Sequence, residues 1–190
     1  MRYLIISLLI VFLYACGGSN EQEEISIQDE VTAETILAGV KVMEDSINSL
    51  FEQFLAGEIE EIDRLVYHEA INRNLELYKN FPEYEGVPKA LDNVAGMYLA
   101  LQLEEKARDW RDTLIFRYPD YPGRKMALEL QVSYYDVDDY QPSLLEKYIN
   151  LLLAEEGLSE EKKEQLVFRL QHIDLSYMDL LLLQNPDLAQ

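Results

Sequence analysis

Residues 81–91 read FPEYEGVPKAL, and residues 118–128, thirty-seven positions further on, read YPDYPGRKMAL. Laid over one another, Pro82 meets Pro119, Tyr84 meets Tyr121, Gly86 meets Gly123, Ala90 meets Ala127 and Leu91 meets Leu128. Phe81 with Tyr118 and Glu83 with Asp120 are conservative pairs. An internal period of this length marks stacked supersecondary units, each too small to bury its apolar face without a neighbour. The chain is therefore expected to fold as a short array of such units.

The stretches between the repeated phrases read as helices. Ala90, Val94, Met97 and Leu101 recur at helical spacing, as do Ala127, Leu130 and Tyr134, and no strict alternation points to strands. In EEKARDWRDTLIFRYPD, Ala107, Trp110, Leu114 and Tyr118 share one face before Pro119 stops the helix. One helix pair per period follows. Upstream, Ile36, Val40, Met43, Ile47, Leu50, Phe51 and Phe54 outline a helix over residues 35–55, and Leu65, Val66, Ala70, Leu75 and Tyr78 outline another over residues 63–80. Downstream, Gly157 followed by Ser159-Glu160-Glu161 is a helix stop and a fresh start. Leu166, Val167, Leu170 and Ile173 form the next face, and Leu180 to Leu183 sit in a last short helix. The outer helices are expected to cap the array.

Ala90, Tyr98, Glu105-Lys106-Ala107, Leu114 and Tyr118-Pro119-Asp120 together resemble the tetratricopeptide repeat. In that family the first helix carries a small residue and a tyrosine, the second an alanine and an aromatic, and a proline follows. The phrase EEKARDWRDTLIFRYPDYP is also similar to repeats of envelope lipoproteins related to the outer-membrane assembly and Pal-associated factors. The resemblance spans roughly Asp63 to Leu153. It implies an all-α fold, a short right-handed array of helical hairpins with capping helices. Ala90, Tyr98, Ala107, Trp110, Leu114, Tyr118, Pro119, Ala127 and Tyr134 would pack the repeats. Two positions depart from the pattern. Arg111 stands four residues after Ala107 where an aromatic is usual, with Trp110 one position early, and Leu144 replaces the small alanine of the next unit. Altered packing is expected at both.

The chain opens with Arg2 and an apolar run from Leu4 to Leu13. The run is shorter than the roughly 20 residues a spanning helix needs and reads as an export signal. Leu13-Tyr14-Ala15-Cys16 resembles the bacterial lipobox, with Tyr14 where a small residue is usual. Cys16 is the only cysteine, so no disulfide within the chain is possible. The resemblance implies that residues 1–15 are removed and that Cys16 carries acyl chains such as palmitate, anchoring the protein without spanning the membrane. Gly17 follows, where aspartate would signal inner-membrane retention, so an outer-membrane address is expected, with the periplasmic or surface face left open. Residues 16–32 hold acids and no lysine or arginine, and read as an acidic flexible tether reaching roughly 20 Å. The acidic run is either a repelling spacer or part of a surface-export signal. Residues 33–190 remain as the helical domain.

Sixteen Lys and Arg oppose thirty-six Asp and Glu, a net charge of −20. Removing Arg2 leaves fifteen against thirty-six, or −21. Nucleic-acid affinity is mostly phosphate neutralisation by basic residues, so no nucleic-acid partner is expected. A cationic protein patch, or divalent ions bound diffusely, suits such a surface better.

Catalytic motifs are sparse. His68 precedes Glu69-Ala70-Ile71-Asn72 and lacks the second histidine of a zinc-binding helix. Asp136-Val137-Asp138-Asp139 lacks the glycine and distal glutamate of a calcium loop and is expected to be an acidic loop between helices. The chain has no glycine-rich phosphate loop, nucleophile elbow or Cys–His pair. No catalytic residue, metal or cofactor is expected. Two functions fit: a non-catalytic scaffold holding an envelope protein partner, or a glycan or small-ligand module using Tyr84, Tyr121 or Trp110 as a platform. Aromatics packed between helices favour the first, and aromatics gathered on an open face favour the second. An enzyme would need a deep pocket with converging carboxylates.

Overall fold

The computed structural model describes residues 31–61 and 63–185. The expected signal segment, Cys16 and the tether up to residue 30 lie outside the described residues. Among the described residues the fold is all-α, with no strand. Eight α-helices follow one another: α1 (Ala33–Leu55), α2 (Arg64–Asn80), α3 (Val87–Ala100), α4 (Glu104–Arg117), α5 (Arg124–Ser133), α6 (Pro142–Leu153), α7 (Glu160–Gln171) and α8 (Tyr177–Gln184). From α1 to α7 each helix packs on its neighbour in sequence. No helix among the described residues is long and apolar enough to cross a membrane.

Side chains set several helix starts. The Thr32 hydroxyl accepts from the Thr35 N–H at 3.2 Å, and the Thr35 hydroxyl oxygen accepts from the Thr32 N–H at 3.0 Å. The Asp63 carboxylate caps α2 through the Leu65 N–H at 2.9 Å. Ser159 and Ser176 cap α7 and α8, each at 3.2 Å. Removing such a cap typically costs about 1 kcal/mol.

The duplicated phrase builds the same turn twice. After α2 the N–H groups of Phe81, Tyr84, Val87 and Ala90 donate to the carbonyls of Leu77, Phe81, Tyr84 and Gly86. After α4, Tyr118, Tyr121, Arg124 and Ala127 donate to Leu114, Tyr118, Tyr121 and Gly123 in the same order. Glycine suits both turns because a side chain there would crowd the tyrosine ring two residues earlier. A Cβ on Gly86 would lie 3.1 Å from the Tyr84 ring, and one on Gly123 would lie 2.4 Å from the Tyr121 ring. The two turns also touch: the Tyr118 hydroxyl donates to the Pro82 carbonyl at 2.8 Å, and Arg117 donates to the Tyr78 hydroxyl at 3.0 Å.

The buried face of α3 follows the expected spacing through Ala90, Leu91, Val94, Met97 and, just beyond it, Leu101. Other faces differ: in α7 Val167 is exposed and Arg169 is buried, in α8 Leu180 is buried and Leu183 exposed, and α5, α1 and α2 depart as well. In α5 the interior residues are Ala127, Leu128 and Gln131, while Leu130 is exposed. Gln131 has a polar side chain on the interior face because its amide donates to the Asp112 carboxylate. In α1 burial is confined to Ala33, Ile36 and Val40, and Phe51, Phe54 and Leu55 are exposed, because α1 packs chiefly on the single neighbour α2. In α2 Leu65 is exposed and Tyr67 is buried. The acidic stretch expected as a loop is instead a π-helical turn, Tyr134–Asp138, continuous with α5. It carries Asp136 to the buried Arg169, whose Nε donates to it at 2.8 Å.

Ala107 is 1% exposed, so Ala107→Arg forces a charge and extra volume into a filled helix contact. The variant is expected to lose about 3 kcal/mol or more in urea unfolding followed by circular dichroism. A second expectation concerns alkaline pH. Burial, reinforced by the Asp92 carboxylate, pushes the Tyr121 phenol from 10.0 up to about 12. The unfolded chain releases that proton first, so this contribution to stability is intact below pH 10 and is lost as pH rises through about 12. Thermal unfolding across that range should show the decline, and Tyr121→Phe should flatten part of it.

Candidate functional site

A cleft of about 530 Å3 is lined by α1, α2 and α3. Glu44 and Asn48 come from α1, Tyr67 and Asn74 from α2, and Asp92, Asn93 and Gly96 from α3. Its position follows from the repeat. Asn74 lies four residues after the buried Ala70, as Arg111 lies four after Ala107, and Tyr148 follows at the same offset of thirty-seven. One slot of successive units thus holds an amide, a guanidinium and a phenol. In the last unit Tyr148 is buried and stacks on Tyr135, with ring centroids 5.4 Å apart. The smaller Asn74 does not occupy that volume, and Gly96 adds no side chain; a Cβ there would meet nothing within 4 Å.

The cleft is polar and already organised. Asn74 is 1% exposed, and its Nδ2 donates to the Ala70 carbonyl at 2.8 Å while its Oδ1 has no partner. The Asn93 amide donates to the Glu44 carboxylate, linking α3 to α1. Asp92 accepts from the Tyr121 hydroxyl at 3.0 Å and lies 3.9 Å from the Lys89 ammonium. Burial raises the Tyr67 pKa, which keeps that phenol protonated and able to donate. The lining therefore offers amide donors and acceptors beside two carboxylates. Among the described residues no three His, Cys, Asp or Glu side chains converge as a metal site would.

None of the residues singled out for repeat packing lines this cleft. Ala90, Ala107, Leu114 and Ala127 are buried. Tyr98 is half-buried beside the Val94–Met97 cluster, with the Lys106 ammonium 5.3 Å from its ring centre. Trp110 is half-buried, edge-on to Tyr78 at 5.8 Å. Tyr118 makes the bond to Pro82, and Pro119 is exposed. Tyr134 is half-buried at the start of the π-helical turn, and the buried tyrosine at the repeat offset from Tyr98 is its neighbour Tyr135. Cys16 lies outside the described residues. Motif reading passed over Asn74, although its offset from Arg111 marks the same slot. Glu44 and Asn93 carry no local signal, because they meet only when α1 and α3 come together.

The chain matches no protein-family model, no curated protein and no solved structure.

Gly96 sits inside α3 with open space above it. Gly96→Ala should therefore stabilise the fold by about 0.5–1 kcal/mol through restricted unfolded-chain entropy, measured as a higher urea midpoint.

Proposed function

We propose that this chain is a lipid-anchored, non-catalytic adaptor of a bacterial envelope. In this reading it is built from tetratricopeptide-like hairpins, and its α1–α3 cleft receives a segment of a partner protein. Cys16 supplies the membrane attachment, the acidic tether supplies reach, and the outer membrane is the proposed address. The observation that carries the reading is the cleft itself, where carboxamides line an open concavity and one buried amide oxygen lacks a donor. Carboxamides can pair with both the N–H and the C=O groups of an extended backbone. The net charge of −20, with Glu44 and Asp92 at the site, favours a partner segment bearing lysine or arginine.

The placement of the aromatics weighs against glycan capture. The Tyr121 hydroxyl is held by Asp92, the Tyr84 ring lies against Gly86, and Trp110 packs on Tyr78. These three do not form an open stacking platform.

Two measurements test the proposal. Cys16→Ser should move the protein from the membrane pellet to the soluble fraction while its helical circular dichroism stays unchanged. A photo-crosslinking amino acid at position 96 should capture a discrete envelope protein from intact cells, with capture reduced at least tenfold by Cys16→Ser. Equal capture from an exposed position on α7, such as 164, would sink the cleft assignment.

A further inference from the structure

Arg111 is 5% exposed and its Nε has no hydrogen-bond partner. Among the described residues no carboxylate stands in ion-pair contact with it. The contrast with Arg169 is direct. That guanidinium is 7% exposed and is held by the Asp136 carboxylate and by the carbonyls of His172 and Leu175, at 2.6 to 2.8 Å. A buried arginine cannot escape its cost by losing a proton at ordinary pH, and leaving such a charge unpaired is strongly unfavourable. Burial, with a smaller push from the Arg108 charge, presses the Arg111 pKa below the usual arginine value, and Asp112 and Glu104 offset part of the effect. In the next unit the same slot holds Tyr148, which fills it by packing. Simple packing therefore does not require a cation at this position.

Arg111 lines a cavity of about 150 Å3. Leu99 and Leu130 form its apolar wall, Ser133 and Tyr134 add hydroxyls at the start of the π-helical turn, and Glu104 and Asp138 also line it. Both carboxylates are exposed, and neither makes an ion pair among the described residues. This cavity is the α1–α3 cleft moved on by one repeat. Arg111 stands for Asn74, Leu130 for Asn93, Ser133 for Gly96, Tyr134 for Met97 and Glu104 for Tyr67, each thirty-seven residues on. The second unit has thus kept the opening but made it smaller and set a guanidinium in its wall. π-helical turns recur at functional sites because they shift side chains out of the regular helical register.

A plain anion at Arg111 would also face the two carboxylates, and a plain cation would also face the guanidinium. A ligand carrying both charges satisfies every group present. We propose that the Arg111 cavity binds a small amphoteric molecule of the α-amino acid class. The ligand carboxylate pairs with the guanidinium, its ammonium faces Glu104 and Asp138, and its aliphatic side chain lies on Leu99 and Leu130. Guanidinium and carboxylate match geometrically in such a pair. A cavity of about this size holds benzene; valine and leucine are larger, so only the side chain and carboxylate lie within it and the ammonium stays beside the exposed Glu104 and Asp138. The site does not depend on the adaptor reading, because it is separate from the α1–α3 cleft.

The test is calorimetric titration of the detergent-solubilised full chain with L-valine and L-leucine, read in parallel by fluorescence of Trp110, the only tryptophan and the residue next to Arg111. At least one of the two amino acids should bind saturably. Its deaminated and decarboxylated counterparts, 3-methylbutanoate and 2-methylpropylamine for valine or 4-methylpentanoate and 3-methylbutylamine for leucine, should each bind at least tenfold more weakly. Arg111→Met should abolish binding while raising Tm by a few degrees, since it removes an unpaired buried charge. Glu104→Gln, at an exposed position, tests the ammonium end independently and should weaken binding at least tenfold without lowering Tm. Failure of both amino acids to bind would overturn the proposal, as would unchanged affinity in either variant. Equal affinity for the deaminated counterpart would overturn the amphoteric assignment. An Arg111→Met variant that folds but is less stable than the parent would mark the guanidinium as structural and count against the site.

Discussion

A tyrosine ring lying against a glycine two residues later, made once at Tyr84–Gly86 and again at Tyr121–Gly123, is the constraint on which the rest of the structure depends. Each pair closes the turn that ends one helix and starts the next, and the hydrogen bonds through the two turns run in the same order. A side chain at either glycine would press on the ring, with the closer approach at Gly123. Because the turns are equivalent, α2 and α4 begin their exits in the same way, and α3 and α5 start from matching positions. The Tyr118–Pro82 bond then ties one turn to the other. What looks in the sequence like a repeated phrase is the junction by which successive helix pairs keep a common register.

Once that register is set, a single slot decides how open each unit is. Asn74, Arg111 and Tyr148 occupy equivalent positions in α2, α4 and α6. The amide leaves a cleft of about 530 Å3, the guanidinium lines a cavity of about 150 Å3, and the phenol is buried in a stack with Tyr135. Close-packed interiors leave few voids larger than a water molecule, so the volume a slot residue does not fill remains as a cavity beside it. The neighbouring carboxylate Asp112 shows the opposite outcome. It is satisfied by the Tyr148 hydroxyl at 2.6 Å and by the Gln131 amide, and this polar network helps join α4 to α5 and α6. Burial and the Asp112 carboxylate together raise the Tyr148 pKa, so its proton stays in that bond throughout the ordinary pH range.

The helices and the repeat were legible in the primary structure because both are local. Ala90, Val94, Met97 and Leu101 mark a face by their spacing, and Ser159 is a polar cap at a helix start. The faces that misled did so for physical reasons. Gln131 is polar yet fully buried, so an apolar pattern drawn through α5 passed through Leu130 instead. Phe51 and Phe54 fit the α1 pattern but lie where α1 has only one neighbour to cover it. The acidic run at Asp136 looked like solvated loop because its partner Arg169 lies thirty-three residues away.

The amino-acid sequence by itself determined that the chain is helical, that two of its turns are copies, and where the slot residues Asn74 and Arg111 fall, since each of these depends on spacing along one strand of chain. Only the tertiary structure decided that Glu44 meets Asn93 across a cleft, that Arg111 is buried with no ion-pair partner among the described residues, and that Tyr148 closes the slot Asn74 leaves open. Those outcomes depend on which side chains neighbouring helices bring to the same volume. That is settled by packing between segments distant in sequence.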